Sequence, residues 1–112
     1  MKKIAILACL KANEVCAGVA CLNAFEDRLA HFTEYANEEV RLCAFLRCSE
    51  CGKYPEESRG MTEKLERILR CGVETVHIGV CAKKRDGTVC PYMEKTAEWL
   101  ENHGIRVVFG TH

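Results

Sequence analysis

Lys3-Ile4-Ala5-Ile6-Leu7-Ala8-Cys9 is an apolar run that ends in a cysteine, and the same pattern returns along the chain. Strand-type runs cover residues 4–9, 40–48, 75–81 and 105–110. The first three close on Cys9, on Cys48 with Cys51 just beyond it, and on Cys81, and the fourth runs out through Gly110-Thr111 to His112. Between them lie three segments with apolar residues at helical spacing. Residues 17–32 carry Val19, Leu22, Phe25, Leu29 and Phe32, residues 61–71 carry Met61, Leu65, Ile68 and Leu69, and residues 91–103 carry Met93, Ala97 and Leu100. Gly72 and Gly104 stand where helix ends favour glycine, and Pro91 suits a first helical position because its missing N–H would have no partner there. Strand alternating with helix implies parallel strands joined by right-handed crossovers. The expected fold is a small three-layer, doubly wound α/β sheet of about four parallel strands with helices on both faces. The order 2-1-3-4 follows by analogy with other doubly wound folds.

A chain of 112 residues with no net charge and 48% hydrophobic residues reads as one domain, residues 1–112, able to bury a real core without disulfides. Nine cysteines is far above ordinary usage. A secreted disulfide scaffold is opposed by the odd count, by thiols that punctuate regular elements, and by the lack of a signal peptide. Met1-Lys2-Lys3 opens like one, but Lys11, Asn13 and Glu14 interrupt the apolar region too early. The expected compartment is therefore the reducing cytoplasm, where cysteines bind metal or do redox chemistry. No stretch is long and apolar enough to span a membrane. The balanced charge argues against a nucleic-acid partner. Lys83-Lys84-Arg85 is the only basic run, and beside the turn signal Asp86-Gly87 it reads as a solvated loop.

In an open α/β sheet the binding crevice lies beyond the carboxyl ends of the strands. That places Cys9, Cys48, Cys51, Cys81 and His112 at one level, with Cys16 and Cys90 at the openings of the following helical stretches. A helix start favours thiolate, the form that binds metal and attacks disulfides. Cys21 lies about one turn beyond Cys16 and is either a ligand or a residue packed beneath the site. His112 is either a nitrogen donor or a frayed chain end. Cys48-Ser49-Glu50-Cys51 has the spacing to bind one tetrahedral metal, and also that of a redox dithiol. Redox pairs of the thioredoxin type sit directly at a helix start, whereas Gly52-Lys53-Tyr54-Pro55 intervenes here. Cys43, mid-strand among Leu42, Ala44 and Phe45, reads as a core thiol, and Cys71, at the opposite edge of the sheet, as structural. His77 reads as a satisfied core histidine. No phosphatase-type Cys–Arg loop and no glycine-rich phosphate loop is present.

The ordered set Cys9, Cys16-Ala17-Gly18-Val19-Ala20-Cys21, Cys48/Cys51, Val76-His77-Ile78-Gly79-Val80-Cys81, Cys90-Pro91 and Gly110-Thr111-His112 resembles the CGGC domain family of small cysteine-rich bacterial and archaeal proteins. The resemblance covers essentially the whole chain and implies a metal-binding, zinc-binding domain. The signature pair differs, with Ser49-Glu50 in place of two glycines. Glycines permit positive φ, so the substitution bears on the geometry of the pair. The expected ligand set is Cys9, Cys16, Cys21, Cys48, Cys51, Cys81, Cys90 and His112. Zinc is the expected metal, with an iron–sulfur cluster or thiol–disulfide redox chemistry at Cys48/Cys51 as alternatives. The expected partner is a metal ion, and no substrate or protein partner is named by the sequence.

Overall fold

In a computed structural model covering Met1–His112, four parallel strands form one sheet in the order β2-β1-β3-β4, as the sequence pattern predicts. The strands are β1 (Lys2–Ala8), β2 (Val40–Arg47), β3 (Thr75–Ile78) and β4 (Arg106–Phe109). β1 is central, and residues 4–8 are all buried because helices cover both faces. Ala5 and Leu7 face α2 (Arg59–Arg70) and α3 (Pro91–Asn102). Ile4 and Ile6 face α1 (Val19–Glu26) and a 3₁₀ segment, Ala30–Tyr35. Met61, Leu65 and Ile68 of α2, and Met93, Ala97 and Leu100 of α3, point inward as their spacing requires. Helix α2 starts two residues before the expected Met61, because the Ser58 hydroxyl accepts the Met61 N–H at 3.2 Å and caps it.

The first helix is shorter than its apolar spacing predicts. α1 stops at Glu26, and Arg28 and Ala30 then take positive φ angles of 54° and 48°. Such angles are costly for residues with a Cβ and persist only where the surroundings enforce them. Here the Arg28 guanidinium donates to the carbonyls of Phe25 and Tyr35, at 2.5 and 3.2 Å, and lies over the Phe25 ring. The apolar rhythm survives the break because the 3₁₀ segment returns Phe32 and Tyr35 to the core. The inward stripe of α1 is Cys21, Ala24 and Phe25, while Val19, Leu22 and Leu29 are exposed.

β2 carries a β-bulge that sets which side of the sheet its thiols face. Ile4 pairs with Leu42 but Ala5 pairs with Ala44, leaving Cys43 as the extra residue. An unpaired insertion of one residue reverses the inward–outward alternation beyond it. Leu42 therefore packs toward α1, whereas Ala44, Leu46 and Cys48 pack toward α2 and α3. Cys43 is partly buried at this bulge and packs against the α2/α3 core, not in a fully closed interior.

Candidate functional site

Cys9 and Cys48 are the residues that immediately follow the last β1–β2 pair, Ala8 with Arg47. Their place in the ladder puts both beyond the carboxyl edge of the sheet. Cys81 lies in a 3₁₀ turn, Val80–Ala82, just after β3, and its sulfur accepts the Cys9 N–H at 3.1 Å. Gly79 makes room for that sulfur, since a Cβ there would stand 3.2 Å from Cys81 Sγ. Gly79→Ala should therefore shift the Cys81 side chain and loosen its bond to Cys9. The expected cost is about 1 kcal/mol in a thermal melt, with faster alkylation of Cys81 by mass spectrometry. An unchanged alkylation rate would show that the turn has slack.

Cys90 is the N-cap residue of α3. Its N–H donates to the Ala82 carbonyl at 2.8 Å, and its own carbonyl accepts from Met93 and Glu94, both at 3.0 Å. The positive end of a twelve-residue helix thus lies at this thiol. Cys51 is exposed in the turn after Cys48, ahead of Gly52, whose φ is 84°. Ser49 and Glu50 keep negative φ, so this turn is built without glycine at either position. Glu50 is answered by Lys53 at 3.6 Å.

Two adjoining cavities open here. The smaller, about 20 Å³, is lined by Cys9, Cys48, Cys51 and Cys90 with Met93 and Tyr92. It is the size of a single water molecule. The larger, about 730 Å³, is lined by Cys9, Cys51, Cys81 and Cys90, and by Lys11, Lys83, Lys84 and Arg85. Burial pushes the Cys48 thiol up to about 11, and the neighbouring Cys9 and Cys90 add to this, while Leu10 N–H and Lys64 pull the other way. Cys81 is also raised by burial, opposed by its bond from Cys9 N–H. Cys48 is therefore held as a neutral thiol at pH 7. As the side chains lie, no three Cys, His, Asp or Glu groups are close enough to grip one metal ion.

The remaining expected ligands lie elsewhere. Cys16 precedes α1 and accepts the Gly18 N–H at 3.3 Å, while Arg47 donates to its carbonyl. It lines neither cavity. Cys21 is buried on the α1 side of the sheet, with its sulfur 3.1 Å from Thr111 Oγ1. His112 is exposed and lines neither cavity. Cys71 caps the end of α2 with an exposed thiol, so it is not a packed structural residue. His77 is wholly buried between Tyr35 Oη at 2.8 Å and the Gly110 carbonyl at 3.1 Å, as a satisfied core histidine should be.

The basic run is exposed, as expected of a solvated loop, and it also lines the larger cavity. Lys83 bridges Val89, Lys84 N–H donates to the Thr88 carbonyl at 2.8 Å, and Gly87 closes the turn at a φ of 88°. This small hairpin holds Lys83, Lys84 and Arg85 over the larger cavity. Asp86-Gly87 is a hairpin signal as well as a loop signal, and in that sense the arm was visible in the sequence. Tyr92, which lines both cavities and packs on Tyr54 at 4.8 Å between ring centroids, carried no such signal.

The model of the CGGC domain family matches residues 3–112, essentially the whole chain. No curated protein and no solved structure matches. No helix is long and apolar enough to cross a membrane.

Proposed function

Because the chain belongs to the CGGC domain family, we propose that residues 1–112 act as one metal-binding domain in which Cys9, Cys48, Cys51 and Cys90 hold zinc. The observation that carries this reading is the water-sized cavity lined by those four cysteines, which come from the ends of β1 and β2 and the start of α3. The donors fit zinc in number and kind, since four thiolates make a closed tetrahedral site. They do not yet converge within bonding distance, so binding requires the side chains to turn inward. Cys81 is proposed to support the site by accepting the Cys9 N–H, while Cys16, Cys21 and His112 lie outside it. A closed four-sulfur zinc site supplies structure and leaves no open position for catalysis.

A thiol–disulfide role for Cys48 is opposed by its raised pKa of about 11, because the attacking species is the thiolate. The same shift makes a prediction about metal uptake. Cys48 is protonated throughout the neutral range, so zinc must displace its proton, and affinity should rise with pH. Each ligand still protonated contributes about one proton released, or about tenfold in affinity per pH unit.

The test is anaerobic purification, metal analysis by mass spectrometry, and zinc titration in two buffers of different ionisation heat. Near-stoichiometric zinc, no visible colour, net proton release on zinc uptake and an affinity that rises with pH are the expected results. Iron with sulfide and brown absorbance would replace zinc by a cluster. Metal-free protein that neither takes up zinc nor gains thermal stability from it would overturn metal binding.

A further inference from the structure

The larger cavity is far too big for a metal ion, and its rim is cationic. Lys11, Lys83, Lys84 and Arg85 line a space of about 730 Å³ together with Cys9, Cys51, Cys81 and Cys90. None of the four cations is engaged by a carboxylate: the ion pairs of the chain use Lys2, Lys53, Lys95 and Arg106 instead. Asp86, the nearest acid of the hairpin, is turned onto Thr88, accepting from its N–H at 2.9 Å and its hydroxyl at 2.6 Å. The two arms of the hairpin are tied to each other through Lys83–Val89 and through Cys90 N–H on the Ala82 carbonyl.

Such a volume is that of a small organic ligand, within the usual range of about 300–1,000 Å³. Four unpaired cations in its lining select for negative charge, and the thiols beside them select for a soft group. An inorganic phosphate would leave most of the volume unfilled and bring hard oxygens against the thiols. We propose that this cavity binds a low-molecular-weight thiol bearing carboxylates. Its carboxylates sit on Lys83, Lys84, Arg85 and Lys11, its body packs against Pro91 and Tyr92, and its sulfur lies over Cys51 and Cys81. The cations belong to the protein with or without metal, but Cys9, Cys51 and Cys90 are shared with the proposed zinc site, so the sulfur contact is read in the metal-free form.

The test is calorimetric titration of the full chain, kept reduced with a phosphine, in zinc-loaded and metal-free forms. The probes are reduced glutathione, S-methylglutathione and ATP. Glutathione should bind with a Kd below about 1 mM in the metal-free form as well. Its affinity should fall about fivefold or more in Lys84→Gln/Arg85→Gln, and similarly at high salt. Those side chains are exposed, so the variant should melt like the parent. S-methylglutathione should bind more weakly than glutathione. No saturable glutathione binding, or binding untouched by the double variant, would overturn the proposal. Binding of ATP in its place would reassign the site to phosphates, and equal binding of S-methylglutathione would remove the sulfur contact. Because the metal-free form is titrated in parallel, failure of zinc binding and failure of this site give different results.

Discussion

Cys48→Ser should weaken zinc binding by more than about a hundredfold. A structural zinc site at neutral pH is worth about 10–16 kcal/mol in binding free energy. Shared among four thiolates, that is about 3 kcal/mol for each, and about 1.4 kcal/mol is a factor of ten. Serine fills the same space without a thiolate, and Cys48 is only partly buried, so the fold should survive the change. Cys48 is also the thiol with Cys9 and Cys90 around it, and the bulge at Cys43 turns it toward them. Competition with a chromophoric chelator would measure the loss, with Cys43→Ser and Cys71→Ser as comparisons. Cys43 sits at the bulge and Cys71 at the far end of α2, so both should bind zinc like the parent. Equal affinity in Cys48→Ser and Cys71→Ser would remove Cys48 from the site. The zinc-dependent part of the melting temperature should vanish in parallel, because a ligand stabilises only through its affinity for the native state.

How much of this was legible in the sequence depended on the kind of signal. The strand order and the two-sided burial of β1 followed from continuous apolar runs that alternate with helical spacing. α2 and α3 followed because Met61, Leu65, Ile68 and Met93, Ala97, Leu100 mark one face each. α1 was misphased because its inward stripe uses small residues, Cys21 and Ala24, while larger Val19 and Leu22 face water. That choice had a consequence for function. Cys21, whose part in the site the spacing left open, is a core residue of α1 whose sulfur meets Thr111. A bulge leaves no local mark in a sequence, so Cys43 could not be seen to reverse the strand. Cysteines at strand ends were legible as a group because parallel topology gathers those ends. Which of them share one cavity was not, since that depends on side-chain direction and on the loops that follow. The hairpin at 83–89 shows the same limit: a basic run beside a turn signal does not reveal what it folds over.

His77→Ala should destabilise the protein by about 3–5 kcal/mol and flatten its stability between pH 7 and 5. His77 has no exposed surface and packs against Phe32, tilted 35° with ring centroids 4.5 Å apart. A carbonyl only accepts, so Nδ1–H must donate to the Gly110 carbonyl at 3.1 Å, and Nε2 then accepts the Tyr35 hydroxyl proton at 2.8 Å. Alanine would open a cavity and leave both partners buried without a bond. The pH dependence follows from the neutral ring. Burial lowers the His77 pKa from 6.5, and Arg106 and His31 lower it further, while the Gly110 bond and Glu34 oppose them. The unfolded chain therefore binds a proton that the native protein refuses, and stability rises with pH in that window. The contribution is complete above about 6.5 and is lost as pH falls below it. The other three histidines are exposed. Glu34, lowered first by its bond to Arg106, acts in the same direction but only in the carboxylate range. Urea unfolding at several pH values should show parent stability falling from pH 7 to 5, with the variant much flatter. A parent that is flat across that range would mean His77 accepts a proton inside the fold. Gly110 follows the last residue of β4 and precedes Thr111, which touches Cys21, so the same imidazole helps hold the end of β4. His77→Phe keeps the volume but not the two bonds. It should recover part of the stability and leave the pH dependence absent, separating packing from protonation.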